Sequence, residues 1–241
     1  LSGRKESVQT LAAAFKYLTV WGLTGGKPTA EMVGKSAGYF PLVGLILGLL
    51  LGLSNYFLAP YVAPEIINVV VIALLISATG GQHLRGIKSS FDALGTNAAG
   101  DDGRSSEALG IAAIVLVILG KSAAANSMDE ILTLSLFLMP VLARWAMIIF
   151  LYGYATRFDG IPRLIAEQVK FWPLLASTAA ILALMTYLLG RTGLWIALLV
   201  SVFTLFLRAA LYRRHGVLSH ADVRASVELT ETLSLILLAS L

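Results

Sequence analysis

The 241-residue chain contains no cysteine. Disulfides and thiolate metal sites are therefore excluded, and cysteine usage says nothing of the redox compartment. Charge is scarce as well. Only 13% of the residues are Asp, Glu, Lys or Arg, where a soluble domain carries about a quarter. No alternation of apolar and polar residues persists, which argues against a membrane β-barrel. Basic residues do not interleave with exposed aromatics, so the net charge of +4 is no reason to expect nucleic acid as a partner. Walker loops, H-E-x-x-H zinc helices and G-x-S-x-G nucleophile elbows are all missing.

What the chain has in abundance is apolar sequence: 57% of its residues are hydrophobic and its mean hydropathy is +0.81. Such a chain is expected to be an all-α integral membrane protein, one membrane domain over residues 1–241, with the lipid bilayer as its immediate partner. The clearest spans are residues 39–62, 131–152, 172–190 and 194–211. Residues 66–79 and 109–120 are shorter and suit central, protein-shielded helices, and residues 228–241 end in a further apolar run. Together they predict a polytopic helical bundle of roughly six to seven transmembrane segments. Residues 10–24 are weakly amphipathic and fit an interfacial or re-entrant segment. No internal repeat is evident, which gives a transporter built on inverted repeats little support.

Charge placement orients the bundle. With the N-terminus in the cytoplasm, Arg4, Lys5, Lys16, Lys27, Lys35, Arg85, Lys88, Arg104, Arg157, Arg163, Lys170, Arg208, Arg213, Arg214 and Arg224 fall on the inner side. Lys121 and Arg191 are left on the other side, and Arg144 lies within a span. This is a positive-inside pattern, expected of a bacterial inner membrane or its organellar equivalent. It collects the long polar loops on one face. Gly44, Gly48 and Gly52 share one helix face and predict close approach of a neighbouring helix.

Five blocks in order along the chain carry a family resemblance: Phe40-Pro41-Leu42-Val43-Gly44-Leu45; Thr79-Gly80-Gly81-Gln82-His83-Leu84-Arg85-Gly86 with Asp92; Arg144-Trp145-Ala146-Met147; Tyr154-Ala155-Thr156-Arg157; and Glu228-Leu229-Thr230-Glu231. They resemble the F-P-L-[IV]-G-L, T-G-G-x-H-L-D-G-L-A-D-T-x-D-G, R-W-A-M, P-Y-A-R and E-L-T-E motifs of the cobalamin-5'-phosphate synthase (adenosylcobinamide-GDP ribazoletransferase) family. The resemblance implies transfer of α-ribazole or its phosphate onto adenosylcobinamide-GDP with release of GMP, in an Mg²⁺-dependent reaction. Attack on a pyrophosphate calls for a divalent ion held by carboxylates, phosphate and water.

The departures from the family pattern fall on polar positions. Arg85 and Ser89 stand where the first two aspartates of the signature belong, and only Asp92 matches. An arginine repels a metal ion, yet it recognises phosphate bidentately. Arg85 and Lys88 are therefore candidate anion-binding residues. The D-S-R-x-G-T-x-G block keeps only Asp102 and Arg104, the late T-G-D-x-L-G-A block is reduced to the segment around Asp222, and the early T-R-[LI]-P-V has lost its arginine. If transfer survives, Asp92, Asp102 and Asp222, with Asp101, are the candidate Mg²⁺ ligands, and His83, Asp92 and Arg104 the candidate catalytic residues. No cofactor is otherwise implied.

Each of these residues also has a plain structural reading. His83 is a ligand, a phosphate donor or a hydrogen-bonded structural residue. Arg144, costly within a span, suits a structural ion pair with Glu228 or Glu231 ahead of a substrate contact. Asp101-Asp102-Gly103 reads as a metal loop or as a solvated turn. The repeated aspartates of the CDP-alcohol phosphotransferases are absent. Two functions follow. One is a non-catalytic or repurposed membrane subunit or scaffold, with a larger membrane complex among its possible partners. The alternative is an active Mg²⁺-dependent ribazoletransferase.

Overall fold

A computed structural model describes residues 2–21, 28–96 and 104–241. The described chain is helical: α1 Ser2–Leu18, α2 Ala30–Lys35, α3 Phe40–Leu58, α4 Pro64–Thr79, α5 Gln82–Thr96, α6 Arg104–Asn126, α7 Leu132–Leu151, α8 Gly160–Gln168, α9 Phe171–His215 and α10 His220–Leu238. Among the described residues there is no strand, only an isolated bridge between Phe158 and Leu218.

Helix α7 is the axis of the bundle. Almost every residue from Leu138 to Leu151 is buried, because α3, α9 and α10 surround it. The α3 contact is the closest, and the glycine row explains it. A Cβ on Gly44 would come within 2.5 Å of the Pro140 carbonyl oxygen, one on Gly48 would collide with the Phe137 carbonyl, and one on Gly52 would lie 3.1 Å from the Thr133 carbonyl. Removing the side chains lets the two backbones touch, which is how helices associate where lipid is as apolar as leucine.

The Thr79-Gly80-Gly81 sequence makes a corner. Gly80 ends α4 at φ 64°, and Gly81 follows at φ 62° while its N–H bonds back to the Ile76 carbonyl. Two consecutive left-handed residues are costly for anything but glycine. The turn re-aims the chain, so α5 leaves at 85° to α4. A second glycine corner, Gly190 at φ 59°, interrupts α9. The backbone at Gly193 then packs on the Met185 carbonyl, so α9 folds back as a hairpin with arms 171–189 and 191–215.

Among the described residues four helices are long and apolar enough to cross a membrane, or five if the bent α4–α5 pair is one span. The longest of them is α9, whose two arms are each of spanning length. Helix α10 has the length of a span but carries Asp222, Arg224, Glu228 and Glu231. Helix α6 runs on to Asn126, six residues beyond the expected end of its span at residue 120. Lys121, expected in a loop on the far side, is consequently inside the bundle and 2% exposed. Hydropathy stops at a charge, but here the counter-charges lie across the packing interface on α10.

The glycine row yields a graded expectation. Gly48→Ala should destabilise the detergent-solubilised protein by about 1–3 kcal/mol, as overpacking does, Gly44→Ala comparably, and Gly52→Ala least. Thermal unfolding followed by circular dichroism checks the order. Equal effects at all three sites would contradict the α3–α7 contact.

Candidate functional site

Two polar constellations share the end of the bundle near α5. The first is buried. Glu231 on α10 accepts from Lys121 Nζ of α6 at 2.5 Å and from Arg144 Nη1 of α7. Lys121 also donates to Glu228 at 2.5 Å. All four side chains are buried. Two cations thus neutralise two anions and tie three helices together. Buried carboxylates and cations are expensive unless paired in this way. His83, in the first turn of α5, is buried within electrostatic reach of Arg144, Glu231 and Lys121. Among the described residues neither its ring nitrogens nor Nε and Nη2 of Arg144 have a hydrogen-bond partner.

The second constellation is the outer face of α5 and the mouth beside it. Arg85 and Ser89 are exposed, and Asp92 lies partly exposed on the same helix face, one turn and then two turns along. Arg85 Nη2 donates to the Gly80 carbonyl at 3.3 Å. Asp92 Oδ2 accepts from Lys88 at 2.7 Å, and its Oδ1 presses against Gly110 of α6. The opposite face of α5 packs inward through His83, Ile87 and Ser90, and Gly86 allows Arg224 of α10 to press directly on the α5 backbone.

Asp222 belongs to neither constellation. It is fully buried at the start of α10 and closes a capping box with Ser219, whose N–H donates to Oδ2 at 2.7 Å. Its Oδ1 accepts from Ser90 at 2.5 Å and faces His215 Nδ1 at 3.0 Å. The carboxylate holds the α10 N-terminus against α5 and α9. Asp92 and Asp222 therefore sit in separate hydrogen-bond systems. Asp101 and Asp102 lie outside the described residues, as does the side chain of Arg104, which opens α6.

A cavity of about 430 Å³ opens between α1, α2, α5, α8 and α10. Lys16, Tyr17, Gln82, Ile165, His220 and Arg224 line it. The Tyr17 and His220 rings stack at 5.8 Å, and Tyr17 Oη lies 3.0 Å from His220 Nε2. Burial, aided by the Arg224 charge, lowers the His220 pKa to about 4. The imidazole is thus neutral near pH 7, and its Nε2 can accept from the tyrosine hydroxyl. Burial raises the Tyr17 pKa. Sequence reading did not single out Tyr17, Lys121 or Arg224. For Arg224 a signal was available: it falls on the turn of α10 before Glu228 and Glu231.

The model of the family described as cobalamin-5-phosphate synthase matches residues 10–239. The chain belongs to that family. Among its relatives are proteins named adenosylcobinamide-GDP ribazoletransferase. The one from Geotalea daltonii is 29% identical, covering 88% of both chains. That from Pseudomonas entomophila is 33% identical, over 89% of this chain and 91% of its own. The Desulfitobacterium hafniense protein is 30% identical, over 86% and 87% respectively. No solved structure matches.

The motif resemblance implies Mg²⁺, and the α5 face can be tested for it. Mg²⁺ prefers several oxygen donors in octahedral array. This face offers a guanidinium, a hydroxyl and a carboxylate already paired with Lys88. The set does not fit the ion. Among the described residues no group of three His, Asp or Glu side chains could hold a metal.

The buried quartet predicts a specific mutational pattern. Glu231→Gln strands Arg144 in the core and should cost about 3–5 kcal/mol. The double change Glu231→Met with Arg144→Met leaves the neutral Lys121–Glu228 pair and should recover most of that loss. Chemical denaturation in detergent measures both. A single-variant cost under about 1 kcal/mol would mean that the pair does not hold the bundle.

Proposed function

We propose that this chain is a repurposed family member, a polytopic membrane protein in one domain that keeps the bundle and has lost Mg²⁺-dependent transfer. Arg85 carries the reading. A positive charge occupies the position of the first metal-ligand aspartate, on the same helix face as Ser89 and Asp92. Asp92 adds to it, because its available oxygen is neutralised by Lys88. Removing the metal removes the charge neutralisation that a departing phosphate requires.

In this reading the basic loops and the N-terminus lie on the cytoplasmic side, as the positive-inside pattern favours. Arg85 and Lys88 then face water at that side and meet anions in place of a metal. The chain serves as a membrane subunit or scaffold, with the bilayer as its immediate partner and a larger membrane complex as its setting. The named activity of the relatives supplies the rival: transfer supported by Asp92, Asp101, Asp102 and Asp222.

A single assay separates the two. Purified protein supplied with Mg²⁺, α-ribazole phosphate and adenosylcobinamide-GDP should release no GMP above the protein-free control. Turnover that disappears in Asp92→Ala would overturn the proposal.

A further inference from the structure

We infer that the cavity between α1, α2, α5, α8 and α10 binds a phosphate group without a metal, with Arg224, which lines it, as the main ligand and Arg85 adding positive charge from the neighbouring face of α5. The inference rests on the proposed function only in taking the metal to be dispensable.

The geometry begins at Gly86. Because it lacks a side chain, Arg224 packs directly on the α5 backbone, one residue from Arg85. The two guanidinium groups are close enough for their charges to repel. Nearby carboxylates do not relieve them. Asp222 is spent on Ser219, Ser90 and His215, Glu228 on Lys121, and Asp92 on Lys88. Among the described residues no carboxylate pairs with Arg224 or Arg85. Two neighbouring arginines with no carboxylate partner among the described residues form a strong anion site, since each presents a fork of donors matched to phosphate oxygens.

The walls match the same ligand. Gln82 and the Tyr17–His220 pair supply neutral polar groups to the lining. Ile161 and Ile165 of α8 make the far wall apolar. The cavity, about 430 Å³, exceeds a bare phosphate and has room for the group that carries it. A lipid headgroup and a soluble phosphate share this chemistry, so the experiment must distinguish them.

Protein purified in an uncharged detergent, with EDTA present, is titrated with inorganic phosphate by calorimetry. In parallel, it is placed in nanodiscs of phosphatidylcholine with or without phosphatidylglycerol, and retained lipid is read by native mass spectrometry. Saturable phosphate binding in EDTA is expected, weakened about tenfold by Arg224→Gln, less by Arg85→Gln and least by Arg224→Lys. Arg163→Gln, an exposed arginine paired with Glu167, should change nothing. Phosphatidylglycerol retention that Arg224→Gln abolishes, without binding of free phosphate, supports the same site with a lipid as its source. Binding of neither, binding that requires Mg²⁺, or binding indifferent to Arg224→Gln overturns the inference. Failure here with no transfer activity leaves the proposed function standing. Transfer activity together with Mg²⁺-dependent binding overturns both.

Discussion

Glu231 between Lys121 and Arg144 is the constraint on which the bundle depends. Each of these groups would be intolerable alone in a low-dielectric interior. With Glu228, which also accepts from Lys121, they sum to neutral, and the four come from three different helices. The quartet fixes α10, a helix too polar to cross a membrane unaided, against α6 and the central α7. With α10 fixed, its first turn brings Asp222 to Ser90 and Arg224 to Gly86. The α5 end of the bundle is thereby assembled from groups whose partners lie more than a hundred residues away in sequence.

This arrangement separates two demands on α5. Its inner face, through His83, Gly86, Ile87 and Ser90, is bound into the scaffold. On its outer face Arg85 and Ser89 are exposed, while Asp92 reaches Gly110 of α6. Substitution at positions 85 and 89 alters the chemistry of this face with little effect on packing. In the proposed reading, the retained Thr-Gly-Gly corner and the lack of carboxylates at positions 85 and 89 have one explanation. Gly80 and Gly81 are needed for a backbone turn, whereas carboxylates at positions 85 and 89 are needed only by an ion.

Much of this was legible in the sequence. Gly44, Gly48 and Gly52 announced a close helix contact through spacing alone, and the glycine row meets the α7 backbone. Long apolar runs marked α3, α7 and both arms of α9. Lys121 was misplaced because a local hydropathy window cannot register counter-charges on another helix. The role of Asp222 was hidden for another reason. Ser219-His220-Ala221-Asp222 is a serine followed three residues later by an acid, the pattern of a helix cap, but the same aspartate also suits a metal ligand, and only the buried partners Ser90 and His215 decide between the two. The cavity was illegible in principle. Tyr17, Gln82, Ile165 and His220 are scattered along the chain, and only tertiary packing assembles them.

The central claim is that the scaffold persists while the metal face does not, and Mn²⁺ binding followed by electron paramagnetic resonance tests it most directly. The purified chain should leave added Mn²⁺ free in solution. Arg85→Asp with Ser89→Asp, which completes a carboxylate face with Asp92 on one side of α5, should bind it. Stoichiometric, saturable Mn²⁺ binding by the unsubstituted chain, abolished by Asp92→Asn, would contradict the account.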